Sequence, residues 1–100
     1  MDKSTPDKPT GDLNTDIGNL RQAIDVIDEN IMDLVNQRLL LAAQIGGLKK
    51  QGDIQIADKQ RETEIMDRLL EKNKGPLGND GLRNIFSAII AQGRNVQHRP

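Results

Sequence analysis

The sequence contains no cysteine, tryptophan or tyrosine, and only one phenylalanine and one histidine. Without cysteine there is neither a disulfide framework nor a thiolate metal site, which fits a reducing compartment. The single histidine, His98, sits beside the C-terminal end, so a histidine-built metal cluster is excluded and an exposed tail residue is expected. The longest uninterrupted apolar run, Leu39 to Ala43, is far too short to cross a membrane. Residues 1–12, MDKSTPDKPTGD, hold no apolar run and read as a flexible lead-in rather than a signal peptide. A formal net charge of -1 argues against nucleic acid or an anionic membrane as the main partner. These exclusions leave one small domain over residues 13–100, with the cytoplasm as the default location.

What is present is a long periodic stretch. Leu13, Ile17, Leu20, Ile24, Ile27, Ile31, Leu34, Leu41, Ile45 and Leu48 recur at steps of three and four, the signature of one amphipathic helix. The step between Leu34 and Leu41 is filled by Arg38, a guanidinium on an apolar seam. About 36 residues at roughly 1.5 Å each give a rod of roughly 54 Å, longer than a small domain is wide. The remaining chain is too short to cover its seam. The simplest cover is a second copy in a two-fold dimer.

The helix is expected to start near Thr15 or Asp16, either of which suits an N-cap. Gly46 and Gly47 each cost about 1 kcal/mol in a helix interior, yet Leu48 keeps the seam in register and Gln51-Gly52-Asp53 supplies a better stop. Continuation to about Lys50 is therefore predicted. Asp58 caps a second helix to about Asn73, with Ile65, Met66, Leu69 and Leu70 inward. After Lys74-Gly75-Pro76-Leu77-Gly78, a third helix capped by Asn79 or Asp80 turns Leu82, Ile85, Phe86, Ile89, Ile90 and Val96 inward. Nothing alternates like a strand, so the fold is all-α.

Several polar residues fall on these inward faces. Lys49 follows Arg38 by eleven residues, close to three turns, so both cations project on one side. Asp58 and Glu62 are four apart beside the Ile65 stripe, with Arg61 between them. Gln97 continues the face of Phe86, Ile90 and Gly93. Each has an ordinary reading. Arg38 reads as a register device, paired with Glu62 or with an acid on a partner helix. Asp58 reads as a cap, Glu62 as a solvated charge, Gln97 as exposed and Lys49 as snorkelling. Their convergence on one apolar interior favours a small-ligand pocket in a helical bundle. Arg21 lies 17 residues before Arg38, too far along the same helix to grip the same small molecule. In an antiparallel dimer, Arg21 of one subunit would complete the pocket of its mate. Several cations, an acid and an amide without a nucleophile suggest an anionic substrate and a reaction driven by charge placement.

Arg21 in Leu20-Arg21, Arg38 after Asn36-Gln37, Lys49 three residues after Gly46, Asp58 with Arg61-Glu62, and Gln97 after Ile89-Ile90 together resemble the all-helical, AroQ-class chorismate mutases. The resemblance covers about residues 13–97. It implies three helices per chain, one very long, interlocked as a two-fold helical-bundle dimer with two composite sites. It implies conversion of chorismate to prephenate, the branch step toward phenylalanine and tyrosine, with no cofactor and no metal. It also implies that Arg38 and the other subunit's Arg21 bind the two substrate carboxylates. Lys49 and Gln97 would face the ether oxygen, Glu62 would hold the ring hydroxyl, and Asp58 and Arg61 would support that end.

One position departs from the family. Gly93 stands where many relatives carry a serine, and it reads either as close helix packing or as a pocket position filled by water or by Arg94. Two other functions remain: an isochorismate pyruvate lyase of the same fold, against which Glu62 counts, and a non-catalytic helical dimerisation module. The chain has no room for an appended dehydratase, dehydrogenase or synthase domain, so a free-standing enzyme is expected.

Overall fold

A computed structural model describes residues 9–55 and 58–99, in which three helices follow one another: α1 (Leu13–Gln51), α2 (Lys59–Lys72) and α3 (Asn79–Gln97). No strand occurs among the described residues, and no helix is long and apolar enough to cross a membrane. Residues 1–8 of the expected lead-in, and Ile56 and Ala57 of the connection to α2, lie outside the described residues.

The chain divides into two units, Met1–Asn36 and Gln37–Pro100, with the boundary inside α1. In the first unit the helix starts earlier than Thr15. Asp12 is the capping residue: its Oδ1 accepts from the Asn14 N–H at 3.1 Å, and its Oδ2 accepts from the Thr15 hydroxyl at 2.7 Å. These bonds, led by the Thr15 hydroxyl, hold the Asp12 carboxyl below the usual carboxylate range. Asp16 turns back instead, accepting from both the backbone N–H and the hydroxyl of Thr10. The apolar seam of this unit is open in the single chain, from Leu13 at 77% exposure to Leu34 at 62%.

The second unit holds the small core. Ala42 of α1, Ile65 of α2, and Leu82 and Ile90 of α3 are its buried apolar residues, joined by Gly46 and Gly93. Met66, Leu69, Leu70, Phe86, Ile89 and Val96 are half-buried, whereas Ile85, expected inward, is exposed in the chain. Helix α1 runs through both glycines and stops where Gln51-Gly52-Asp53 was expected to stop it. The Ile54 N–H bonds back to the Lys49 carbonyl at 2.7 Å and the Asp53 N–H to the Lys50 carbonyl at 3.4 Å. Asp53 is left-handed at φ 53°. This is the two-bond closure that satisfies the last carbonyls of a helix, with aspartate in the place glycine usually takes.

Helix α2 is capped by Asp58, whose Oδ1 accepts from the Arg61 N–H at 2.9 Å. Helix α3 departs from expectation: Gly78 occupies the N-cap position without a side-chain cap, and Asn79 and Asp80 lie in the first turn. There Asp80 faces Arg83 one turn on, 3.6 Å away, while its negative charge complements the helix N-terminus. Beyond α3, the Lys50 ammonium donates to the Arg99 carbonyl at 2.6 Å, tying the last turn of α1 to the chain that follows Gln97.

Candidate active site

The second unit encloses a cavity of about 220 Å³ among its three helices. From α1 come Arg38 and Lys49, separated by a floor of Leu41, Ala42 and Ile45. The start of α2 contributes Asp58, Arg61 and Glu62, with Ile65 beneath them. Helix α3 contributes Ile90, Gly93, Arg94 and Gln97. Seven of the eight residues singled out in the sequence thus line one cavity. The eighth, Arg21, is an exposed residue of the first unit.

Two glycines bring the polar groups together. A Cβ on Gly46 would lie 2.7 Å from Gln97 Cα and 2.8 Å from the Gln97 carbonyl oxygen, closer than any side chain tolerates. Only glycine lets α1 and α3 meet here, and that contact fixes where Gln97 leaves α3. The Gln97 Oε1 atom is buried and accepts no hydrogen bond, so the expectation of an exposed amide does not hold. Leaving a buried acceptor unpaired costs about 1–3 kcal/mol, and groups of this kind concentrate at functional sites. On the opposite wall, a Cβ on Gly93 would lie 3.1 Å from Arg38 Nη1. The Arg38 guanidinium therefore rests against the bare backbone of α3 at Gly93, which also forms part of the cavity wall.

The carboxylates are already engaged. Asp58 serves as the α2 cap while standing at the cavity wall, so one residue sets both the helix start and the local charge. Glu62 Oε1 accepts from Arg94 Nη1 at 2.7 Å, so of the two partners considered for Arg38 the one within the chain is taken by Arg94. Arg94 follows Ile90 by four residues and so lies at the margin of the inward face of α3, itself exposed.

The lining holds four cations, Arg38, Lys49, Arg61 and Arg94, against two carboxylates, and it contains no serine, threonine, histidine or cysteine. Among the described residues, no group of three or more His, Cys, Asp or Glu side chains is placed to hold a metal ion. The arrangement suits a compact ligand carrying two negative charges, gripped by guanidinium forks and met by an ammonium and an amide.

The chorismate mutase type II family matches residues 20–98. Among curated relatives, the bifunctional chorismate mutase/prephenate dehydratase of Aquifex aeolicus is 38% identical over 76 residues, 72% of this chain and 21% of the relative. The corresponding bifunctional protein of Neisseria gonorrhoeae is 35% identical over 72 residues, 19% of its length. This chain therefore spans about a fifth of those two-activity relatives. The chorismate mutase of Methanocaldococcus jannaschii is 34% identical over 83 residues, covering 81% of this chain and 83% of the relative. With the family matched over most of its length and a similarly sized relative matched nearly end to end, this chain belongs to the chorismate mutase type II family.

Proposed function

We propose that this chain rearranges chorismate to prephenate, working as a two-fold dimer in the cytoplasm. The observation that carries the reading is the cavity itself: four cations against two carboxylates, with the half-buried Gln97 side chain at its wall. The reaction breaks a carbon–oxygen bond and forms a carbon–carbon bond within one molecule. It needs no proton transfer, nucleophile or external group. What the protein must do is hold the less stable folded conformer of a dianion and stabilise the charge that grows on the ether oxygen.

Arg38 takes one substrate carboxylate, its guanidinium backed by α3 at Gly93. Lys49 and Gln97 meet the ether oxygen, where preorganised donors are worth most because the developing charge is shielded from water. Glu62 receives the ring hydroxyl, and Asp58 and Arg61 support that end of the cavity. The second carboxylate falls to Arg21 of the other subunit. Support for two subunits comes from the three-and-four repeat of α1, broken only at Arg38, and from its exposed apolar face. No observation favours the elimination chemistry of a lyase or a module without activity.

The test is the loss of chorismate absorbance in the near ultraviolet, read with purified protein and no added metal or cofactor. The lack of tryptophan and tyrosine keeps the protein's own absorbance small. Formation of prephenate is expected; a folded protein that leaves chorismate unchanged overturns the assignment. Sedimentation equilibrium tests the dimer, with twice the chain mass of 11.1 kDa expected.

A further inference from the structure

Glu62 borders two cavities. One is the site described above; the other is a groove of about 530 Å³ along α2 and α3, reaching from Lys59 to Leu70 and from Arg83 to Arg94. The two share only Glu62, Ile90 and Arg94, so the Arg94–Glu62 ion pair stands at their common boundary. A glutamate at such a boundary has two competing destinations. The groove offers it Lys59, one turn earlier on α2, whereas the inner site needs it as an acceptor.

We propose that Arg94 is a positioning residue that decides this competition, and that it thereby selects for a hydroxyl on the ring of the bound dianion. The inference rests on the chorismate reading of the site. Arg94 Nη1 holds Glu62 Oε1 at 2.7 Å, which leaves Oε2 as the acceptor for the hydroxyl. The guanidinium donates in a fixed direction within its plane, so the bond fixes where Oε1 sits more narrowly than a freely rotating ammonium would. Arg94 performs a second service. A lone carboxylate lining a site for a dianion repels its ligand, and the adjoining cation offsets that repulsion without occupying the space where the substrate lies. The side chain that makes this possible comes from the residue next to Gly93, so the stretch without a serine hydroxyl carries a guanidinium one step further on.

The experiment is a double-mutant cycle on chorismate turnover with Arg94→Ala, Glu62→Ala and the pair. Arg94→Ala is expected to lower kcat/KM about tenfold, mostly through KM, because hydroxyl binding is present before and during the reaction. In the Glu62→Ala background the same change is expected to have less than about a twofold effect, since the residue it acts through is gone. Arg94→Lys is expected to recover part of the loss by restoring charge without the planar fork. Equal losses in both backgrounds, or no loss in either, overturn the inference. If the double variant does not fold, calorimetry on Arg94→Ala takes its place, using two unreactive cyclic dicarboxylates that differ only in the ring hydroxyl. The hydroxylated one should bind about tenfold more weakly than to the native protein, and the other unchanged; equal weakening of both overturns the inference. Native protein without turnover sinks the functional reading first, whereas native turnover with an additive cycle sinks only the role of Arg94.

Discussion

Gly46 and Gln97 are held so close that a Cβ on the first would lie 2.7 Å from the Cα of the second. The contact joins the C-terminal part of α1 to the backbone beneath a proposed catalytic amide. Backbone cannot rotate away as a side chain can, so Gly46→Ala must push α1 and α3 apart. The expected cost is about 1–3 kcal/mol of overpacking, reduced by the roughly 1 kcal/mol that alanine gains in a helix interior. Gly47 is the control. Nothing lies within 4 Å of its Cβ position, so Gly47→Ala should stabilise by about 1 kcal/mol. Urea unfolding of the two variants should therefore move in opposite directions, and only Gly46→Ala should lower kcat.

The same pair shows what the sequence could and could not disclose. The three-and-four repeat of α1 was legible because apolar residues at that spacing return to one face of a helix. That two glycines sit inside the helix was legible only as a tension, resolved by Leu48 holding the register. Why Gly46 is glycine was not legible, because the reason lies 51 positions away in Gln97. Caps fared similarly. Asp58 stood alone before its helix and was identified. Asp12, Thr15 and Asp16 crowd one turn, and nothing local reveals which one meets the first free N–H groups. At Gly78 the sequence offered better capping residues just downstream, and the helix absorbed them into its first turn. Most cavity residues were legible from helical spacing, the Asp58 cap and the family resemblance taken together. The Arg94–Glu62 pair, made between two helices, was not.

Gln97→Ala separates catalysis from folding. The side chain ends in a buried oxygen with no hydrogen bond, so its removal takes away an unpaired acceptor rather than a structural bond. Thermal stability should be unchanged or slightly higher. Turnover should fall by roughly a hundredfold to a thousandfold, the usual consequence of deleting one preorganised donor. Turnover that survives the substitution would remove Gln97 from the mechanism.

Gly93→Ala tests the packing of Arg38. The new Cβ would stand 3.1 Å from Arg38 Nη1, a close contact with the far end of a flexible side chain. The guanidinium yields by a few tenths of an ångström while the helix gains about 1 kcal/mol from alanine. Melting temperature should rise and kcat/KM should fall several-fold, chiefly through KM, since a fork displaced from its carboxylate loses directional hydrogen bonds. Gly93→Ser adds a hydroxyl at the same place. Its KM should lie below that of Gly93→Ala, because the hydroxyl offers the substrate carboxylate a donor in exchange.

Complementation tests the shared site most directly. Arg21→Ala and Arg38→Ala should each abolish most turnover if each site draws Arg38 from one subunit and Arg21 from the other. Mixing the two variants under conditions that allow subunit exchange makes half of the dimers mixed. Each mixed dimer holds one site with both arginines intact and one with neither. Activity should therefore return to about a quarter of the native value, set only by the statistics of two-fold pairing. If Arg21 acts within its own chain, every site in the mixture still lacks an arginine and no activity returns. The recovered fraction consequently distinguishes a composite site from two independent ones without requiring a structure of the assembly.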